Sequence, residues 1–287
     1  MSSLAEPVFS ADVEREIFET TAFLYPQSIG KILLVARRVW IWIDPLRYRV
    51  VSICGPDRDV RTDQLFRHSL DAFSKLYRAK PAMFRNHVRH LCFRDYQKVS
   101  DITSVLSTCS STTNLLLFFI GNPTHLPLLS AMPLRRFSVL LQLLFPSPVE
   151  KDFTLPLFVN ITHLDIFYYI NEPWESWSKL AKIPHLSHLS FHDHYISNAI
   201  CQGVLKHCRS LEILANVFTT RDTLRKQAPK RAPLAADPRF VMMLLSDFLG
   251  DWENGAHGGE DYWDRAEGYV RQRRSGDTED YMFDREW

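Results

Sequence analysis

The chain has 287 residues, 46% hydrophobic and 23% charged, and its 34 Lys and Arg nearly balance 33 Asp and Glu, so it should fold and has no overall field to gather nucleic acid or anionic membrane. Its longest aliphatic and aromatic run, Leu115 to Ile120, is far shorter than the roughly 18–20 residues that span a bilayer, and the acidic N-terminal stretch lacks the build of a secretory signal; the expected location is cytoplasmic or nuclear. Five scattered cysteines (Cys54, Cys92, Cys109, Cys201, Cys208) without C-x-x-C read as reduced, buried thiols, and glycines too sparse for a phosphate cradle argue against nucleotide binding.

In chain order, Ser10 can cap a first helix through Val13, Ile17, Phe18 and Ala22. After Pro26 a second helical stretch covers Ile29 to Ile43, closed by Pro45, and a third element follows around Leu46 to Val50. This segment, residues 1–54, is too small for an independent core of useful size and needs a partner surface, within the chain or on another protein. Residues 31–90 hold 13 Lys and Arg against five acids. Such a patch can steer an acidic partner or serve as a solvated helical face; with no nucleic-acid motif, RNA or DNA binding is not expected.

A repeat organises residues 55–250. Segments 88–93, 112–117, 134–139, 161–166 and 186–191 read apolar-x-x-apolar-x-apolar, with Thr112 once in first place, and 211–216 is a weaker copy. Their anchors, Leu91, Leu115, Phe137, Leu164, Leu189 and Leu214, are 24, 22, 27, 25 and 25 residues apart. That spacing is typical of leucine-rich repeats, whose short strands stack to share one interior. Residues two apart in a strand share a face, so the fourth and sixth positions point inward. The residues between the inward positions, Cys92, Leu116, Ser138, Asp165, Ser190 and Ala215, should then lie on the concave face, where solenoids hold partners. A seventh strand is expected at 240–245.

The connections are less regular. Ile102, Val105, Leu106 and Cys109 after Ser100, and Ile196, Ile200, Val204 and Cys208, make helical stripes, and Pro173 suits the start of a helix carrying Trp174, Trp177 and Leu180. Residues 146–156, with three prolines, read as a loop, and the basic, proline-punctuated stretch 226–238 reads as a mobile one. His185, His188, His192 and His194 crowd one repeat, but His90, His163 and His188 each immediately precede an anchor, so this histidine reads as a repeat position and no metal site is expected.

Residues 251–287 are expected to form a helical cap. Gly258-Gly259, then Glu260 and Asp261, with Arg271, Arg273 and Arg274 later, match the acid-first, base-last order of a helix. Residues 237–287 carry 13 acids against six bases, which leaves open whether the tail folds back on the basic N-terminal half or stays solvated.

Glu16-Ile17-Phe18, then Ile32 to Arg38 (Ile-Leu-Leu-Val-Ala-Arg-Arg), then Asp44 to Arg49 (Asp-Pro-Leu-Arg-Tyr-Arg), resemble an F-box, in which an E-I-F turn, an L-V-C-R-x-W stretch and a P-x-x-Y exit recur. Stretches 41–46, 160–166, 183–191, 237–241 and 258–263 extend the similarity, over nearly the whole chain, to the F-box-like proteins of mushroom-forming fungi. The chain departs from the pattern at Val8-Phe9-Ser10, where Leu-Pro is usual, and at Ala36, where Cys is usual. The resemblance implies an adaptor that binds a Skp1-type protein through its N-terminal helices and brings a target to a cullin–RING ubiquitin ligase. Ile17, Ile32, Leu33, Val35, Pro45 and Leu46 are the candidate Skp1-facing anchors.

The expectation is thus an α/β chain, an irregular leucine-rich-repeat solenoid with a helical F-box-like segment and a helical C-terminal cap, binding proteins, without catalysis or cofactor. The alternative is a stand-alone repeat scaffold whose N-terminal helices only cap the solenoid. A third reading, a hydrolase using a His with Asp165 or Ser190, requires a deep pocket around them.

Overall fold

The structure, a computed structural model, describes residues 9–55, 67–95, 97–118, 120–146, 151–167, 172–192 and 196–284. His194, Val8 and residues 147–150 of the proline-rich connection lie outside the described residues.

Short helices come first: α1 (Ala11–Leu24), α2 (Ile29–Ile32) and α3 (Arg37–Ile43), then a 3₁₀ segment, Asp44–Tyr48. The single helix expected over 29–43 is divided because the backbone extends at Ala36, which begins α3 as its N-cap. Strands β1 (Val50–Cys54) and β2 (Arg67–Ser69) follow, with α4 (Leu70–Ala79) and α5 (Pro81–His87), so the helical unit ends at Tyr48 and the boundary expected at 54 moves before β1.

The chain continues as β3 (His90–Phe93), α6 (Val99–Thr108), β4 (Asn114–Leu117), α7 (Leu126–Ser130), β5 (Arg136–Leu140), α8 (Leu141–Leu144), β6 (His163–Phe167), β7 (His188–Phe191), α9 (Asn198–His207), β8 (Ile213–Phe218), α10 (Arg221–Arg231) and β9 (Phe240–Leu244). It ends in α11 (Phe248–Ala256), α12 (Tyr262–Ser275) and β10 (Met282–Phe283). All ten strands form one open parallel sheet, β10-β9-β8-β7-β6-β5-β4-β3-β1-β2.

Register places Leu91, Leu115, Phe137, Leu164, Leu189, Leu214 and Phe240 side by side across seven strands. All seven are fully buried, in the large core between the sheet and the connecting helices. The connection of Trp174 and Leu180 is two 3₁₀ segments, with Trp177 and Leu180 buried. The stretch expected to be mobile before β9 is instead ordered in α10 and a 3₁₀ turn: Leu224 and Leu234 enter the core, and buried Arg231 donates to the side-chain oxygens of Asn216 (3.1 Å) and Asn198 (2.7 Å).

A second layer covers the opposite sheet face. Cys92, Leu116, Leu140, Phe167, Ala215, Val217, Val241 and Met243 pack there with Phe248 and Trp252 of α11 and Tyr262, Trp263, Ala266 and Val270 of α12. The C-terminal segment, expected as a helical cap, is helical and covers this face of the sheet. Its helices reverse at Gly258, whose φ of +86° suits glycine and whose missing side chain admits the Phe23 ring of α1. Asp261 then starts α12 with a capping box shared with Asp264, and Gly276 (φ +81°) ends it.

Candidate interaction surfaces

The N-terminal unit has a core of its own. Ala22, Ile29, Ile32, Val39 and Ile43 are buried together, flanked by half-buried Phe18, Leu33, Trp42 and Leu46. The Arg38 guanidinium donates two 2.7 Å hydrogen bonds to the Glu14 carboxylate, tying α3 to α1. On its inner side the unit rests on the rest of the chain, with Tyr48 edge-on to Phe84 at 4.9 Å and Phe23 against Gly258.

Its outer side is different. Of the twelve large apolar side chains exposed among the described residues, nine fall between residues 9 and 41: Phe9, Val13, Ile17, Leu24, Tyr25, Leu34, Val35, Trp40 and Ile41. Scattered exposed apolar residues need no explanation, but three quarters of them on one small unit marks a surface that water alone serves poorly. The expected anchors divide: Ile17 and Val35 are exposed, Leu33, Pro45 and Leu46 are half-buried, and Ile32 is in the local core, so it supports the unit rather than offering contact. Leu34 (85% exposed), Trp40 and Ile41 were missed. The helical pattern over 29–43 could not assign them a side while the break at Ala36, which resets the face, was unread.

The other expected surface is closed. Cys92, Leu116, Ser138, Asp165, Ser190 and Ala215 do occupy successive register positions in one row, yet each is buried, under α11 and α12. They are not an open concave face; the cause is the chain's own C-terminal helices. A signal was available: Leu115-Leu116-Leu117 and Val241-Met242-Met243-Leu244 are apolar at every position, the mark of a parallel strand buried on both faces.

Polar members of that row make a network with the cover. The Asp165 carboxylate accepts hydrogen bonds from the Ser138 hydroxyl (2.5 Å), the Ser190 hydroxyl (2.6 Å) and the Tyr262 phenol, and His192 Nε2 lies 3.5 Å away. Burial works to raise this carboxyl, but the hydrogen bonds and the His192 interaction outweigh it and hold it below its ordinary value. Burial and the Asp165 charge push the Tyr262 phenol far up, so it stays a donor. This is a Ser-Asp-His meeting with the carboxylate in the middle: Ser190 gives its proton to Asp165, not to an imidazole, and Tyr262 lies over both. The partner of the hydroxyl is a carboxylate and not an imidazole, so the order differs from the Ser-His-Asp arrangement in which histidine takes the serine proton.

Acids of the tail meet bases along the sheet, which decides that the tail folds back. Buried Glu253 receives Arg94 (2.6 Å) and Arg67, and Asp261 receives Arg136 (2.6 Å). Burial works to raise the Glu253 carboxyl, and its hydrogen bonds to Arg67 and Arg94 lower it below the usual value. Trp252 Nε1 donates to Asn114 Oδ1 at 3.1 Å, and His188 Nε2 lies 3.1 Å from Glu267 Oε1. Burial pushes His163 down to about 2, His90 to about 3 and His188 to about 4, so all three rings are neutral at pH 7.

All five cysteines are free and buried, and burial pushes the Cys109 and Cys201 thiols up to about 12. A cleft of about 270 Å³ lies where α1 meets the α11–α12 turn, lined by Phe23, Ile29, Leu46, Arg49 and His257 among others. Among the described residues, no helix is long and apolar enough to cross a membrane. No protein-family model matches the chain, and neither does any curated protein.

Proposed function

We propose that this chain is a protein-interaction adaptor whose N-terminal unit docks a second protein through the apolar surface of Ile17, Leu34, Val35, Trp40 and Ile41. The observation that carries this reading is the concentration of exposed apolar side chains on residues 9–41 while the unit's own core, Ile29, Ile32, Val39 and Ile43, is already closed. An apolar centre of this kind supplies most of the free energy of an interface. The resemblance of residues 16–49 to an F-box makes the partner a Skp1-type protein and the role that of a substrate receptor for a cullin–RING ubiquitin ligase. In the same reading the parallel sheet, with its anchors in one column and 22–27 residues between them, is an irregular leucine-rich-repeat solenoid. Target contact then falls outside the covered row Cys92 to Ala215 or requires the C-terminal helices to move.

The test is binding of the full chain to a Skp1-type protein by calorimetry, for the natural sequence and for Leu34→Asp and Trp40→Ala. Exposed positions are used because a charge at buried Ile32 would confuse unfolding with lost contact. Binding that weakens by roughly 30-fold or more in variants of unchanged stability supports the proposal. Absent binding, or binding indifferent to both changes, removes it. The alternative, a repeat scaffold whose N-terminal helices only cap the sheet, rests on the inner contacts, Tyr48 on Phe84 and Phe23 on Gly258. It predicts no Skp1-type association and a loss of whole-chain stability when α1 is cut away.

A further inference from the structure

His163 and His188 are register partners on β6 and β7, their rings stacked at 4.1 Å between centroids and 9° between planes. Each ring has the same neighbour: the hydroxyl of the residue before it lies at Nδ1, Thr162 Oγ1 at 2.9 Å and Ser187 Oγ at 2.7 Å. Those hydroxyls are also placed to donate to backbone carbonyls, Thr162 to Arg135 at 3.1 Å and Ser187 to Thr162 at 3.2 Å. A hydroxyl has one proton. Where that proton goes to the carbonyl, the oxygen accepts from Nδ1–H and the imidazole presents a lone pair on Nε2, the form a metal ion binds.

Those lone pairs are poorly served by the protein alone. His163 Nε2 is buried with no hydrogen-bond partner. His188 Nε2 faces Glu267 Oε1 at 3.1 Å, so a nitrogen and a carboxylate oxygen lie beside that unpartnered atom. The ligand atoms of His163, His188 and Glu267 lie within 4.8 Å of one another, and the Glu267 side chain, 43% exposed, leaves a way in from solvent.

We propose that His163 Nε2, His188 Nε2 and Glu267 Oε1 form a binding site for a zinc-class divalent cation, with water as a fourth ligand on the open side. Two imidazoles and one carboxylate suit zinc and not the all-oxygen preference of calcium or magnesium. Thr162 and Ser187 hold the tautomer from behind, the usual outer support of a ligating histidine. Zinc takes nitrogen at about 2.0–2.1 Å, so the parallel rings splay for their lone pairs to converge. Because Glu267 belongs to α12 and the histidines to the sheet, the ion ties the C-terminal cover to the face it closes.

The experiment uses the full chain, stripped with a chelator and titrated with Zn²⁺ by calorimetry, then loaded with Co²⁺ for visible absorption. The expected result is one equivalent of Zn²⁺ and the intense bands of tetrahedral cobalt. Affinity falls on the order of 100-fold in His163→Ala or His188→Ala and on the order of 10-fold in Glu267→Gln, and is unchanged in His185→Ala, an exposed neighbour. Glu267 is exposed, so its variant remains informative if a histidine variant fails to fold. No uptake by the natural chain at tens of micromolar Zn²⁺, or equal uptake by Glu267→Gln and the folded histidine variants, overturns the proposal.

Discussion

The N-terminal unit and the C-terminal helical pair are both helices outside the parallel sheet, and they treat their apolar residues in opposite ways. Phe248, Trp252, Tyr262 and Trp263 are all buried against strands, and the charges of Glu253 and Asp261 between them are answered by Arg67, Arg94 and Arg136. The N-terminal unit closes only a five-residue core and leaves Leu34, Val35, Trp40 and Ile41 in water. One region has found its partner within the chain. The other leaves these side chains to water, and under the proposed function a second protein covers them.

If the C-terminal pair is truly integral, damaging it should unfold the molecule. Trp263→Ala removes a fully covered ring that lies edge-on to His163 and His188 at 5.5 and 5.3 Å, and is expected to cost about 3–5 kcal/mol in urea denaturation. Next, Glu253→Gln keeps the shape but takes the negative charge from between Arg67 and Arg94; allowing for the partial exposure of Arg67, the expected loss is about 2–3 kcal/mol. A two-state urea curve whose midpoint barely moves in either variant would show the pair to be an accessory layer.

Acid should loosen the same layer. His90, His163 and His188 have folded values below the ordinary 6.5, so the unfolded chain binds more protons and stability falls as pH drops below about 6.5, toward the folded values of about 2 to 4. Each contributes a slope of up to about 1.4 kcal/mol per pH unit in that window. Asp261 opposes them: burial raises it to about 6, so between there and its ordinary 3.8 it takes up a proton more readily folded than unfolded. The net expectation, checked by melting temperature from pH 7 to 4, is a decline that is shallower than three histidines alone would give.

The smallest expected effect sharpens the comparison from the other side. Leu34→Asp and Trp40→Ala alter exposed residues and should shift stability by no more than about 0.5 kcal/mol. A loss of 2 kcal/mol in either would mean that the N-terminal surface already supports the fold and is not a free interface.

Strand positions were largely legible because alternation with period two is strong over a few residues and the anchors recur at nearly constant spacing. β2, read as Arg-His-Ser, carries no apolar signal of its own and pairs only because β1 offers an edge. The prolines and charge of 226–238 predict a mobile stretch, although buried Arg231, bonded to two asparagines, and buried Leu224 and Leu234 hold this region in place. Of the residues the pattern singles out, Ile17 and Val35 are exposed beside Leu34, Trp40 and Ile41, which it does not single out, and the row from Cys92 to Ala215 lies on one face as expected but is covered.

What the sequence determined by itself is the order of the sheet's centre: side chains such as Leu91 and Leu189 reach the same depth because chain direction and a two-residue period dictate it, whatever lies beyond. Only the tertiary structure decided what covers each face. Burial is a property of two surfaces, and the second surface here, α11 and α12, arrives from the far end of the chain, so no local pattern around Asp165 or His163 announces it.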